Sequence, residues 1–151
     1  MSADRVDAFL EKHRSIGLDT SVVIYAVETH PKYLNLVKPI LRWTRGPNGN
    51  AITSTLTMTE VLVRPYRVAD LALVQEFHAL LVTYPHIEWV PPTLQIADRA
   101  AKLRADHNLR TPDAIQAATA LDRGVTGYVT NDPIFRRVPS FDVLILDELL
   151  S

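Results

Sequence analysis

Five short apolar runs punctuate the chain: "SIGL" (15–18), "AITS" (51–54), "HIEWV" (86–90), "GYVT" (127–130) and "VLIL" (143–146). Each is short enough to be a strand, and the stretches between them carry helical patterns rather than tight turns. Short apolar strands alternating with helices predict an α/β layer fold with a largely parallel sheet. The intervening segments fit that reading. "DRVDAFLEKH" (4–13) places Val6, Phe9 and Leu10 on one helical face, and a second helix is expected from Ser21 to about Glu28. Tyr33–Arg45 reads as an amphipathic helix with Leu34, Val37 and Leu41 inward, which Pro39 is expected to kink or break. "GPNGN" (46–50) is a turn, and "TLTMTEVLVR" (55–64) a helix ending before Pro65. A periodic helix over 68–83 runs through Leu71, Val74, Phe77, Leu80 and Leu81. Two more helices, 93–106 and 112–123, are joined by "HNLRT". No repeat, low-complexity tract or linker interrupts the 151 residues, so one domain is expected over 1–151, with 1–14 as an N-terminal helical extension.

Composition removes several chemistries. The absence of cysteine excludes disulfide scaffolds, thiolate-bound zinc and thiol nucleophiles. The charged start "MSADRVD" is no signal peptide, and no apolar run approaches the ~20 residues of a membrane span. A soluble, cytoplasmic protein without membrane contact is expected. The net charge of −1 provides no overall basic field for nucleic acid. Twelve of the 16 basic residues are Arg, which suits bidentate phosphate contacts and equally surface ion pairs.

In parallel α/β sheets, ligands bind beyond the carboxyl ends of the strands. Asp19 follows strand one, Glu60 lies in the helix after strand two, and Asp132 follows strand four in "TNDP". Asp113 begins the helix that feeds strand four, which puts it at the same rim, provided helix 93–106 is redirected by "PPT" to run toward it. Each acid has an ordinary explanation. Asp19 can cap the helix after it, and Asp132-Pro133 reads as another cap-then-proline start. Thr57-x-x-Glu60 fits a capping box, and Thr111-Pro112-Asp113 reads as a cap, a first-turn proline and a dipole-matched acid. Their joint placement is less ordinary. Crowded carboxylates repel and raise one another's pKa, whereas Ser, Thr or Asn would cap as well without that cost. Hard divalent cations resolve the conflict, which predicts a Mg²⁺ or Mn²⁺ pocket with Thr20, Thr130 and Asn131 as hydroxyl and amide neighbours.

Taken together, "LDTSVVIYAVE", "TSTLTMTEVLVRP", "LRTPDAIQAATALDRG" and "YVTNDPIFRRV" resemble the successive motifs of the PIN-domain ribonuclease family, in its VapC-like group. The resemblance covers about residues 15–147. It implies a PIN-like α/β fold, with a central parallel sheet of four or five strands flanked by helices. It also implies a metal-dependent endoribonuclease whose acids are Asp19, Glu60, Asp113 and Asp132. Compact members of the family begin almost at strand one, whereas 18 residues precede Asp19 here.

On this reading Asp19 and Asp113 are the primary metal ligands, Asp132 acts through a coordinated water or a second ion, and Glu60 orients water or shares a metal. Thr130 serves as a hydrogen-bonding neighbour of the phosphate or the ion's water. Arg64, Arg67, Arg110, Arg136 and Arg137 flank the acids and are candidates to hold RNA phosphates. His13, His30, His78, His86 and His107 lack metal-ligand spacing, and Trp43 and Trp89 read as core or interface rather than base-stacking platforms. The expected partners are RNA, an antitoxin protein and a second copy of the chain; the apolar face of helix 68–83 or of helix 33–45 would form a dimer interface or receive an antitoxin helix. Other classes that gather acids at such a rim fit less well. A phosphorelay receiver needs a Lys after its last strand, and none follows Lys102; a haloacid-dehalogenase-like phosphatase needs D-x-D where this chain has Asp19-Thr20-Ser21. The standing alternative is a non-catalytic module that binds RNA or protein and keeps the acids as caps or for a structural ion.

Overall fold

Gly17 sits at the centre of the sheet because nothing larger fits there. In the computed structural model, which describes residues 2–150, it lies in β1 (Ile16–Leu18), and a Cβ at that position would stand 2.5 Å from the Tyr128 ring and 3.1 Å from the Ala120 Cβ. The two ends of the expected domain, residues 1 and 151, fall outside the described residues. Beside β1 run β2 (Ala51–Ser54), β3 (Ile87–Val90), β4 (Gly127–Thr130) and β5 (Asp142–Ile145). Their order is β3-β2-β1-β4-β5, and every pair is parallel. The chain moves outward from β1 to β3, then crosses to the other side of β1 for β4 and β5. The strand order therefore switches beside β1, the place where such sheets open a crevice at their carboxyl edge.

Helices cover both faces, giving the expected α/β architecture with five strands. The helices α1 (Ser2–Glu11), α2 (Thr20–Val27), α3 (Leu34–Arg45), α4 (Leu56–Arg67) and α5 (Leu71–Thr83) share one core with Ile16, Leu18, Ala51 and Val129. The opposite core joins Gly17's register partners Ile52 and Tyr128, and Val90 of β3, to α6 (Leu94–His107), α7 (Thr111–Asp122) and Phe135 of the 3-10 turn Pro133–Arg137. This split follows from the alternation of side chains along each strand. The leading helix is integral to the first core, with Val6 and Leu10 fully buried and α1 packed on α3. Among the described residues, no helix is long and apolar enough to cross a membrane.

Four local expectations are corrected. Pro39 does not end α3, which continues to Arg45; Leu36, Val37 and Ile40 are buried around it, and this packing outweighs the lost hydrogen bond. Pro65 likewise lies inside α4, which closes one turn later: Asp70 N–H donates to the Pro65 carbonyl and Ala69 N–H to Tyr66, with Ala69 in the left-handed region (φ 54°). This is the Schellman pattern of helix endings. That ending delays α5 to Leu71, where Asp70 caps it through Leu73 N–H at 3.0 Å. Finally, Thr111 is not the cap of α7 but its first residue; Arg110 holds the cap position without a side-chain bond.

Candidate functional site

Asp19 leaves β1 still attached to the sheet, its N–H donating to the Val129 carbonyl at 3.0 Å. Its extended backbone makes it the N-cap of α2, with Oδ1 accepting from Thr20 N–H at 2.9 Å. Oδ2 accepts from the Thr130 hydroxyl at the end of β4 at 2.6 Å. Asp132, two residues on, donates its N–H to Thr130 Oγ1 at 3.0 Å, and its Oδ1 caps the 3-10 turn through Ile134 N–H at 3.0 Å. The ends of β1 and β4 thus hold Asp19 and Asp132 by backbone geometry.

The other two acids arrive on helices. Asp113, in the first turn of α7, is buried and accepts from Arg110 Nε at 3.1 Å. Glu60 is reached across the site by the Thr20 hydroxyl, which donates to Oε1 at 3.0 Å. The expected capping box does not form. Thr57 lies inside α4 after an N-cap Thr55 that makes no side-chain bond, and the Thr57 hydroxyl turns into the core. There it stands 2.7 Å from Thr53 Oγ1, which donates to the Leu18 carbonyl, and receives a bond from Gln116 Nε2 at 2.9 Å.

All four acids line one cavity of ≈ 370 Å³, together with Thr20, Ser21, Tyr25, Arg110, Gln116 and Asn131. Asp113 is therefore at the rim with Asp19, Glu60 and Asp132. Burial pushes the Asp19 carboxyl from 3.8 up to about 6; the Thr130 and Thr20 hydrogen bonds oppose that rise, and the charges of Asp113 and Glu60 add to it. Crowded negative charge near neutral pH is the defining electrostatic feature of the cavity. Among the described residues no group of three or more His, Cys, Asp or Glu side chains is arranged to hold a metal ion directly. The donor set nevertheless fits a hard, hydrated cation, because Mg²⁺ typically takes one or two carboxylates and keeps several waters.

Of the five candidate phosphate-binding arginines, Arg110 lines this cavity. Arg64 pairs with Glu28 (3.5 Å), Arg67 borders an apolar groove, Arg136 pairs with both oxygens of Glu148, and Arg137 donates to the Asn108 carbonyl at 3.0 Å. Three histidines make structural bonds: His13 Nδ1 lies 2.7 Å from Thr126 Oγ1, His86 Nδ1 2.6 Å from the Thr44 carbonyl, and His30 Nδ1 accepts from Lys32 N–H at 3.2 Å. Gln116 and Tyr25 escaped the sequence reading. Gln116 was visible as the lone amide of "DAIQAATA", one turn beyond Asp113; Tyr25 stands six residues after Asp19 and reads there as an ordinary apolar-run residue.

Of the two apolar faces expected as interfaces, that of helix 68–83 is the one with exposed apolar residues, and the surface extends from it onto α4. The inward face of α3 is consumed by the core, whereas Tyr66, Val68, Leu71 and Val82 are exposed on α4, α5 and their link. A groove of ≈ 830 Å³ runs there, lined by Met58, Leu62, Val63, Tyr66, Val82 and Trp89 among others.

A family model described as the PIN domain matches residues 16–140. No curated protein sequence matches the chain significantly. Solved structures that it resembles include a chain of VapBC2 from Rickettsia felis bound to a DNA fragment from its promoter (17% identity, TM-score 0.67, 87% of this chain and 98% of that one). A toxin–antitoxin complex from Klebsiella pneumoniae is similar at 22% identity and TM-score 0.65, over 87% of this chain and 97% of that one. PAE2754 from Pyrobaculum aerophilum is similar at 17% identity and TM-score 0.56, over 90% and 92%.

Proposed function

Since the chain belongs to the PIN domain family, we propose that it is a Mg²⁺- or Mn²⁺-dependent endoribonuclease, the toxin of a toxin–antitoxin pair. The observation that carries this reading is the convergence of Asp19, Glu60, Asp113 and Asp132, from four separate segments, on one cavity beside the switch in strand order. Asp19 and Asp113 are assigned as direct ligands, with Asp132 reaching the ion through water or serving a second ion. Bound there, the cation would activate water, neutralise charge building on the phosphate and assist the departing oxygen.

The chain's own groups orient these parts. Thr20 N–H and the Thr130 hydroxyl fix the two oxygens of Asp19, so the carboxylate is aimed before any ligand arrives. Glu60, held at one oxygen by Thr20, is assigned to orient the attacking water. Arg110 restrains Asp113 while most of its own side chain stays exposed, which suits it to draw an RNA phosphate to an otherwise repellent cavity. Arg64, Arg67, Arg136 and Arg137 would then contact RNA outside the cavity.

Two partners accompany this reading. Complexes among the similar structures pair toxin with antitoxin, which supports an antitoxin protein as partner. A second copy of the chain is assigned to the apolar groove of α4 and α5, whose Tyr66, Met58 and Trp89 are residue types enriched at interfaces. The test is cleavage of RNA by the purified protein. Cleavage with Mg²⁺ or Mn²⁺ that stops with EDTA supports the nuclease; RNA binding without cleavage under any divalent cation supports the non-catalytic module instead.

A further inference from the structure

Asn131 stands between Thr130 and Asp132, yet both ends of its amide are engaged away from the acids. Its Nδ2 donates to the Tyr25 hydroxyl at 3.0 Å, and its Oδ1 accepts from the Asp147 backbone N–H at 2.8 Å. The Asp147 carboxylate accepts from the Tyr33 hydroxyl at 2.6 Å. Tyr33 in turn stacks on Tyr25, with centroids 4.0 Å apart and planes 14° from parallel. These contacts close a ring: Asn131 to Tyr25, Tyr25 to Tyr33, Tyr33 to Asp147, and Asp147 back to Asn131. It ties together α2, the link into α3, the turn after β4 and the 3-10 turn Leu146–Leu149.

We propose that Tyr25, Tyr33, Asn131 and Asp147 form a positioning clamp that sets the Thr130–Asp132 turn against Asp19. The residues flanking Asn131 both serve the cavity: the Thr130 hydroxyl donates a hydrogen bond to Asp19 and accepts one from the N–H of Asp132. An anchor on Asn131 therefore fixes the spacing of two acids at once. The Tyr33 ring is buried and its hydroxyl bonds the half-exposed Asp147 carboxylate, and breaking one link in such a network exposes the others to loss. Tyr25 has a double place, because it is also part of the cavity wall. Asp147 lies beyond the 16–140 segment matched by the family model, so the clamp draws on a part of this chain outside that match. These four are positioning residues: they act through Thr130 and Asp132 rather than on RNA.

Three variants test the clamp. Tyr25→Phe keeps the ring stack and removes the acceptor of Asn131; Asp147→Ala removes the acceptor of Tyr33; Asp147→Asn restores an acceptor without the charge. Hydrogen exchange of the Asn131 side-chain amide, followed by NMR without metal or RNA, is expected to quicken about tenfold or more in the first two and to return toward wild type in the third. With Mg²⁺ and RNA, kcat is expected to fall about tenfold or more in Tyr25→Phe and Asp147→Ala while KM stays within about twofold, and Asp147→Asn is expected to recover it. If Asp147→Ala fails to fold, Tyr33→Phe breaks the same link. Unchanged exchange in Tyr25→Phe overturns the clamp, as does faster exchange with kcat intact. The kinetic arm rests on the nuclease reading and the exchange arm does not. A wild-type protein that never cleaves RNA would thus defeat that reading while exchange alone decides the clamp.

Discussion

Two of the concavities among the described residues are built in opposite ways. The apolar groove of α4 and α5 is the larger, at ≈ 830 Å³ against ≈ 370 Å³ for the acidic cavity. The groove is mostly apolar, lined by Met58, Leu62, Tyr66, Val82 and Trp89, with Thr55, Thr59 and Arg67 as its polar members. The cavity is shaped by backbone: Asp19 is a helix cap at the end of β1, Asp132 caps a turn at the end of β4, and Asp113 sits in the first turn of α7. Size alone would select the groove. Chemistry selects the cavity, because preorganised charged groups can discriminate a reacting centre, whereas an apolar groove can only bury area.

Replacing the acids should separate the two regions most sharply. The double variant Asp19→Asn, Asp113→Asn is expected to lose about a thousandfold or more of RNA cleavage while keeping its fold and its self-association. Circular dichroism and light scattering would check the last two; parental cleavage would remove these acids from the mechanism. The reciprocal change is Tyr66→Asp with Val82→Asp, at residues 58% and 56% exposed, where burial in the monomer is too small to threaten folding. Self-association is expected to weaken about tenfold or more, as for anchor residues at an interface. A wild-type monomer at all concentrations, or a variant that stays paired, would take the second copy off the groove.

Smaller effects concern the strain within the cavity. The folded protein holds the Asp19 proton up to about 6, whereas an unfolded chain releases it near 3.8. Between those values the folded state binds more protons, so stability falls as pH rises through the window, by about 3 kcal/mol in all. Above about pH 7 the penalty is complete, and Asp19→Asn should relieve it. Thermal midpoints at pH 4.5 and pH 7.5 provide the check, with Mg²⁺ raising the second much more than the first, because the cation competes with the proton for the same carboxylate. A pH-independent Mg²⁺ effect would contradict this. The smallest effect lies in the core, where the fully buried Tyr128 hydroxyl finds no hydrogen-bond partner among the described residues. Burial first, then the charges of Asp19, Asp113 and Glu60, keep its proton on. Tyr128→Phe is expected to be neutral or to stabilise by up to about 1 kcal/mol, read from denaturant unfolding; a clear loss would mean that the hydroxyl is bonded.

The two regions were also unequally legible in the sequence. Acids at strand ends and helix starts could be placed because each is tied to a local event, the end of an apolar run or the start of a helical period. The five strands were legible for the same reason. Features that depend on distant partners were not. Thr57 looked like a cap because Glu60 stands three residues on, but its hydroxyl is used by Thr53 across the turn and by Gln116, 59 residues away. Asn131 looked like an amide donor for the site, and its partners Tyr25 and Asp147 come from 106 residues before and 16 after. Pro39 and Pro65 read as breaks because local propensity disfavours them, and tertiary packing overrode it. The apolar groove was legible in part, on helix 68–83 but not on α4: periodicity marks a helix's apolar face but not whether the core or the solvent meets it, as the buried face of α3 shows.

On the proposed reading, these carboxylates tolerate one another because they share a divalent cation. The most direct test of that reading is a crystal of the protein soaked in Mn²⁺, with anomalous scattering recorded at a wavelength where manganese absorbs. An anomalous peak in the cavity, within coordination distance of Asp19 and Asp113 and lost in Asp19→Asn, is the expected result. A cavity with no peak at saturating Mn²⁺, or a peak that persists unchanged in Asp19→Asn, would contradict it.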